Sequence, residues 1–329
     1  MPKFSIILPV RNGGEYVKKC LQSILSQSLH DFNLAVLDNC SEDDTVQWIE
    51  QLQDSRITII KASQPLSMEA NWARIMKVPK NEFMTIIGHD DLLHPDYLAT
   101  MDALIKKHPK ASLYQAHFKF IDAKGNDIRP CLPMAEVQRA DEFLACEMTR
   151  TMDSMGTGYM MRSADYAAAG GIGVHYPNLI FADYELWVKL TIINYKATAQ
   201  DECFSYRLHN NISKLTNGEQ YQQAFGEYML FLAGLKAVHP QIAKAIEKDG
   251  KTMLLYFCES LSHRLLKTDR KLRKTSVAVF IDKCRHYAAL LIPGQSFQPM
   301  SKPRILAAYL LDNRVGLKLF SLYKKMNTK

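Results

Sequence analysis

Two short apolar runs in the first 90 residues each end in a cluster of carboxylates, and this constrains the fold more than any other feature. Residues 33–38 read Asn-Leu-Ala-Val-Leu-Asp and continue into Asn39-Cys40-Ser41-Glu42-Asp43-Asp44; residues 83–87 read Phe-Met-Thr-Ile-Ile and continue into Gly88-His89-Asp90-Asp91. Each run has the length and composition of a buried strand. Helical spacing fills the intervals: Tyr16, Val17, Cys20, Leu21, Ile24 and Leu25 mark a buried stripe on a helix over 15–26. Further strands are expected at 4–10, 56–60 and 111–121, and helices at 46–52, 67–77, 95–107 and 183–194. Ser41 and Asp43-Asp44 read as caps for the second helix. Strand–helix alternation of this kind predicts an α/β fold with a mostly parallel, doubly wound sheet. Such sheets bind ligands outside the carboxyl ends of their strands. Acids at two of those ends suit a hard divalent cation, Mn²⁺ or Mg²⁺, beside a polar phosphorylated ligand.

Charge divides the 329-residue chain. Residues 1–214 carry 22 Lys and Arg against 26 Asp and Glu, whereas residues 215–329 carry 19 against 8. The expected organisation is therefore an α/β domain over 1–214 and a basic helical region over 215–329, with helix breaks near Pro240, Asp249-Gly250, Pro293-Gly294 and Pro299–Pro303. Within the basic region, Arg264, Lys267, Arg270, Lys271, Arg273 and Lys274 cluster, and a basic amphipathic helix is expected over 305–326. A basic half points to an anionic partner, a solvated face, or a second copy of the chain. The seven cysteines are scattered without a Cys-x-x-Cys pair, which favours free thiols over a disulfide framework or a zinc site. No signal-peptide pattern and no run of about 20 apolar residues is present, so a cytosolic location is expected.

Three segments in order carry a family resemblance: Leu8-Pro9-Val10-Arg11-Asn12-Gly13, then Leu37-Asp38-Asn39-Cys40-Ser41-Glu42-Asp43, then His89-Asp90-Asp91-Leu92-Leu93-His94-Pro95-Asp96-Tyr97-Leu98. Over residues 4–214 the chain resembles the family 2 glycosyltransferases. The resemblance implies the GT-A fold, a nucleotide-sugar donor (a UDP-sugar foremost), a divalent cation, and inversion of the anomeric centre in one displacement. It makes Asp38 the acceptor for the uracil imide N–H, and sets Pro9, Arg11, Asn12, Asn71, Arg74 and Asp90 about the nucleotide. Asn71 and Arg74, three apart, share one helix face. Asp91 is the first choice for the metal, with Asp90 toward the ribose or a bridging water. Asp183, in Phe181-Ala182-Asp183-Tyr184-Glu185-Leu186-Trp187, resembles the general base, with Glu185 as the alternative and Trp187 as core or acceptor wall. In Tyr206-Arg207-Leu208-His209, Arg207 and His209 face the diphosphate, or His209 ligates the metal. Many members build surface polysaccharide on glycan or lipid-linked acceptors at the inner membrane, so the basic region is expected to meet that membrane or a second copy. Gly88 and Ala182 stand where many members carry acids. That departure keeps open a non-catalytic nucleotide-binding scaffold. Arg11–Glu15 poorly matches the loop of a nucleotidyltransferase, and nucleic acid is the least favoured partner.

Overall fold

A computed structural model describes residues 2–209, 216–268 and 273–326, the side chains of 321–326 excepted. Two compact units emerge. One comprises Met1–Phe143, Arg150–His175 and Ala182–Asn211; the other comprises Leu144–Thr149, Tyr176–Phe181 and Ile212–Lys329.

The first unit is built on one sheet, ordered β3-β2-β1-β4-β9-β6-β10-β5. Its parallel core consists of β1 (Phe4–Val10), β2 (Phe32–Asp38), β3 (Ile57–Ile59) and β4 (Phe83–Ile86). A second long parallel pair joins β6 (Leu113–Ile121) to β10 (Lys196–Arg207). The antiparallel additions are short: β5 (Leu92–Leu93), β7 (Asp127–Pro130), β8 (Val137–Gln138) and β9 (Met160–Arg162). Every residue of β1 is buried, as a parallel strand covered on both faces requires. The helix α1 (Gly14–Leu25) turns Val17, Cys20, Leu21 and Ile24 inward, each burial contributing about 1.5–3 kcal/mol for the larger aliphatic side chains. Five further helices follow: α2 (Thr45–Gln51), α3 (Met68–Ala73), α4 (Tyr97–Lys107), α5 (Ala140–Thr149), whose residues from Leu144 on belong to the second unit, and α6 (Ser163–Ala168). Then comes α7 (Ala182–Ile193), which begins directly after Phe181, a residue held at φ +69.

The register carries the site. Val10 pairs with Asp38, and Ile86 pairs with Ile7. The carboxyl ends of β1, β2 and β4 therefore open at the same edge, two of them into acidic turns. Ser67 caps α3 by accepting the Ala70 N–H at 3.2 Å. The caps expected for α2 differ in detail: Asp44 makes no cap hydrogen bond, whereas Asp43 accepts from both Thr45 and Gly14 N–H.

The second unit contains α8 (Gly218–Val238), α9 (Pro240–Leu266), α10 (Val277–Leu291), α11 (Pro303–Leu311) and α12 (Arg314–Met326). Two expectations are corrected here. Gly250 does not break a helix. It lies buried within α9, where a Cβ would already touch Ile292 at 3.4 Å, so packing outweighs its weak helix propensity. The helix expected over 305–326 is interrupted at Asp312-Asn313, where Asn313 Oδ1 accepts the N–H of Val315 and of Gly316 and starts a new helix. Arg270 and Lys271 of the basic cluster lie outside the described residues. No disulfide joins any of the seven cysteines. Among the described residues no helix is long and apolar enough to cross a membrane.

Candidate active site

The loops after β1 and β2 are stitched together before any ligand arrives. Asn12 sits in the left-handed region at φ +52. Its N–H donates to Ser41 Oγ at 2.9 Å, and its Oδ1 accepts the Glu42 N–H at 2.7 Å. Gly13 donates to Thr45 Oγ1 at 3.0 Å. A Cβ on Gly13 would fall 2.5 Å from that of Val17, so only glycine fits. Asn12 is thus engaged in loop structure, while Arg11 beside it is exposed and lies 3.8 Å from Glu42. Pro9 is buried within β1, opposite Leu37.

Asp38 ends β2 nearly buried, its carboxylate accepting only the Ser41 N–H, at 3.2 and 3.4 Å. Those are long bonds from one donor, and they leave acceptor capacity for an incoming N–H. The Asp38 carbonyl accepts from Arg74 at 2.9 Å, and a second arm of Arg74 reaches the Ile60 carbonyl. Asn71 Oδ1 accepts from the same guanidinium at 2.8 Å. Asn71 and Arg74 do share a face, but they spend it on each other and on backbone carbonyls. They brace the wall behind Asp38 instead of offering an open cation. A cavity of about 410 Å³ lies against this wall, lined by Leu37, Ile60, Ala62, Leu66, Arg74 and Val78 among others.

The acidic turn after β4 resolves into two carboxylates with opposite directions. Asp91 is buried. Its Oδ1 accepts the Arg207 N–H and its Oδ2 accepts the Thr157 hydroxyl, both at 2.9 Å. Burial, with Asp90 beside it, pushes this carboxyl well above the usual carboxylate range. Asp90 remains part-exposed, with Oδ2 2.5 Å from His209 Nε2. This reverses the expected order: the outward pair is Asp90 with His209, and Asp91 faces inward because the end of β10 and the 155–158 loop claim both its oxygens. Arg207 is likewise displaced from the diphosphate role. It is 1% exposed. Its Nε donates to the Asp90 carbonyl at 2.6 Å, and Nη1 donates to the Asp122 carbonyl at 3.0 Å. The guanidinium lies 5.0 Å from the Tyr16 ring centroid, and Tyr16 also packs against the His209 ring at 5.2 Å. Tyr16 therefore positions His209, a role its place in the buried stripe of α1 concealed.

Gly88 explains itself in the same turn. A Cβ there would stand 2.7 Å from Asp90 Oδ1 and 3.1 Å from Asp91 Oδ2. The space an acid would use at 88 is taken by the two that follow. Gly88→Ala is therefore expected to push Asp90 from His209 and to weaken cation-dependent ligand binding by about tenfold or more, a factor of ten being about 1.4 kcal/mol. Titration calorimetry with Mn²⁺ checks this, and unchanged binding would show that the turn adapts.

Asp183 occupies the first turn of α7, half-buried. Burial raises its carboxyl to about 6, and the opposing influences are hydrogen bonds from backbone, not a cation. A Cβ on Gly156 would lie 3.4 Å from Asp183 Oδ2, so the glycine keeps one side of the carboxylate open. Trp187 holds this loop from below: it is 1% exposed, donates Nε1–H to the Met155 carbonyl at 3.0 Å and packs on Tyr159. It belongs to the core and forms no acceptor wall. Glu185 is buried and paired with Lys189 at 2.6 Å, with His175 at 3.5 Å. Its charge is already compensated, whereas Asp183 has no such ion pair among the described residues.

Among the described residues no three His, Cys, Asp or Glu side chains gather into a cation cage. The donors that do fit a divalent cation are the Asp90 carboxylate and the His209 imidazole, adjacent and still part-exposed. Such a pair needs the ligand's own oxygens to complete a coordination shell.

Comparison with known proteins speaks to the family and the fold. The model of the glycosyl transferase family 2 matches residues 5–168, about half of the chain and all of the parallel core. Poly(ribitol-phosphate) beta-N-acetylglucosaminyltransferase TarS of Staphylococcus aureus is 28% identical over 112 residues, covering 33% of this chain and 20% of TarS. The chain spans less than half the length of several curated relatives it matches. The crystal structure of S. aureus TarS 1-349 in complex with UDP-GlcNAc superposes with a TM-score of 0.57 at 14% identity, covering 90% of this chain and 93% of that one. Mannosyltransferase PcManGT from Pyrobaculum calidifontis, in complex with GDP-Man and Mn²⁺, gives a TM-score of 0.51 at 14% identity, covering 98% and 88%. The sheet is thus that of the GT-A fold, and the chain belongs to the family 2 glycosyltransferases.

Proposed function

We propose that this enzyme is a cation-dependent, inverting glycosyltransferase that takes its sugar from a UDP-sugar and passes it to a hydroxyl of a glycan or lipid-linked acceptor in surface polysaccharide synthesis. The observation that carries the reading is Asp183: a half-buried carboxylate raised by burial to about 6, held only by backbone N–H groups and kept open on one side by Gly156. A sugar hydroxyl is a weak nucleophile, and a carboxylate whose pKa lies near neutrality both holds ionised form and takes up a proton effectively. Asp183 receives the acceptor proton as the hydroxyl attacks the anomeric carbon. A retaining double displacement needs a second free carboxylate, and Glu185 is already paired with Lys189.

Asp38 supports uridine as the base, because its remaining acceptor capacity suits an imide N–H and repels an edge that presents acceptors. The neighbour bound to UDP-GlcNAc is consistent with this choice. Asp90 and His209 would hold Mn²⁺ or Mg²⁺. When bound, that cation neutralises charge developing on the departing diphosphate. Arg11, exposed at the same edge, adds a cation within the protein itself. The filled space at Gly88 weighs against the scaffold alternative there, and Ala182 is what still speaks for it.

The test is a panel of UDP-, GDP- and TDP-sugars assayed with Mn²⁺ for donor hydrolysis, on wild type and Asp38→Asn. Turnover of UDP-sugars in preference to GDP-sugars is expected, with TDP-sugars, which share the imide N–H, as the nearer competitor. Asp38→Asn is expected to cost about 1.5–3 kcal/mol of donor binding, the worth of a hydrogen bond to a charged group. Equal use of GDP-sugars, or an unaffected variant, would remove uridine from the reading.

A further inference from the structure

The helices α11 and α12 leave an apolar and basic face uncovered. On α11, Ile305 and Ala308 point into the helical unit, whereas Leu306, Tyr309 and Leu310 point out at the i, i+3, i+4 spacing of one face. On α12, Val315 and Leu319, one turn apart, are 67% and 57% exposed; Leu310 is 61% exposed. Scattered exposed apolar side chains need no explanation, but five on two consecutive helices do.

Charge says what covers them. Between residues 302 and 320 the chain carries Lys302, Arg304, Arg314 and Lys318, all exposed, and one acid, Asp312. That acid is turned inward: its side chain is 6% exposed, it meets the buried Arg273 at 2.5 Å, and it accepts the Val277 N–H at 2.7 Å. Among the described residues of these two helices, the charge that faces outward is therefore all positive. Gly316 shapes it: a Cβ there would stand 2.6 Å from the Leu311 carbonyl oxygen, so glycine lets α12 fold tightly against the end of α11.

We infer that this face lies on the surface of an anionic lipid bilayer, with Leu306, Tyr309, Leu310, Val315 and Leu319 entering the headgroup boundary and Arg314 and Lys318 meeting lipid phosphates. Helices of this character bind by apolar burial plus electrostatic attraction to anionic lipid. Arg304 contributes less, because Glu259 already pairs with it at 2.8 Å. The inference names the surface for the membrane-side acceptor proposed above, but it stands on these two helices and not on the transfer chemistry.

The experiment is flotation of the full-length protein with phosphatidylcholine vesicles, with or without about 30 mol% phosphatidylglycerol, on wild type, on Leu310→Asp with Leu319→Asp, and on Arg314→Glu with Lys318→Glu. Circular dichroism and UDP binding are read on each to confirm an intact fold and site. Each basic residue near an anionic surface is worth about fivefold in binding, so wild type should prefer anionic vesicles by at least about tenfold. The charge variant should lose at least about 25-fold on those vesicles, and its residual binding should no longer depend on salt. The apolar variant should bind neither vesicle. Equal binding to both vesicle types, or folded variants that bind like wild type, would overturn the inference. So would a concentration-dependent dimer dissolved by Leu310→Asp in a protein that ignores vesicles. Loss of UDP binding in wild type would instead strike the proposed function and leave this surface untouched.

Discussion

Asp183→Asn should abolish most sugar transfer while making the protein harder to unfold. Removing a positioned general base typically costs a factor of about 10²–10⁴ in rate. The carboxyl of Asp183 titrates at about 6 in the folded protein against an ordinary 3.8. A carboxyl raised on folding binds its proton more tightly in the native state. It supports stability below about pH 4, and that support is lost as pH rises through 6. Asparagine cannot ionise, so the variant escapes the loss, worth up to about 3 kcal/mol at neutral pH for a shift of roughly two units. Thermal melts at pH 5, 6, 7 and 8 should show the gap between the two proteins opening with pH. The same titration predicts that wild-type kcat falls below about pH 6, where the base is protonated. A variant as fast as wild type would mean that another group carries the proton, and one no more stable would mean that burial does not raise this carboxyl.

Arg207 and His209 stand two residues apart and should fail in opposite ways. Arg207 is buried, and its donors satisfy the Asp90 and Asp122 carbonyls while its charge offsets the buried Asp91. Arg207→Met leaves those carbonyls unpaired, a loss of about 2–5 kcal/mol at about 1–3 for each unsatisfied group and of roughly 10 °C in Tm. His209→Ala removes a part-exposed ring that packs on Tyr16 and touches Asp90. Its cost in stability should stay near 1 kcal/mol, but cation-dependent ligand binding should fall by about 10–100-fold, the scale seen when a metal site loses a supporting group. Denaturant unfolding and calorimetry on the two variants separate the roles. If His209→Ala unfolds like Arg207→Met, the ring is structural. If Arg207→Met is stable and only catalytically poor, the guanidinium faces ligand after all.

The parallel core was legible because β1, β2 and β4 are unbroken apolar runs and α1 keeps a clean 3.6-residue stripe. What sequence reading did not find was β10, which carries Arg207: its polar centre, Gln200 to Glu202, is exposed and coincides with register shifts against β6, so no strand periodicity survives. β9 is only three residues long and gives no period to read. At the site, acids at strand ends were readable, but not their directions. Asp90 and Asp91 are adjacent, and the choice of which faces outward is made by Thr157 and the Arg207 N–H, distant in sequence. The roles of Arg207 and Asn71–Arg74 escaped for a similar reason. Their partners are backbone carbonyls, which leave no mark in the residue pattern. Gly156 was visible in a glycine-rich stretch, yet its link to Asp183 exists only once α7 is in place.

We propose that UDP and a divalent cation meet at Asp90 and His209. Titration calorimetry of UDP into wild type, Asp90→Asn and His209→Ala, each with and without Mn²⁺, tests it most directly. Mn²⁺ is expected to tighten UDP binding to wild type by at least about tenfold, whereas both variants should bind UDP with wild-type metal-free affinity but gain little from Mn²⁺. Equal UDP affinity with and without Mn²⁺ in wild type, or a full Mn²⁺ effect retained in both variants, would contradict it.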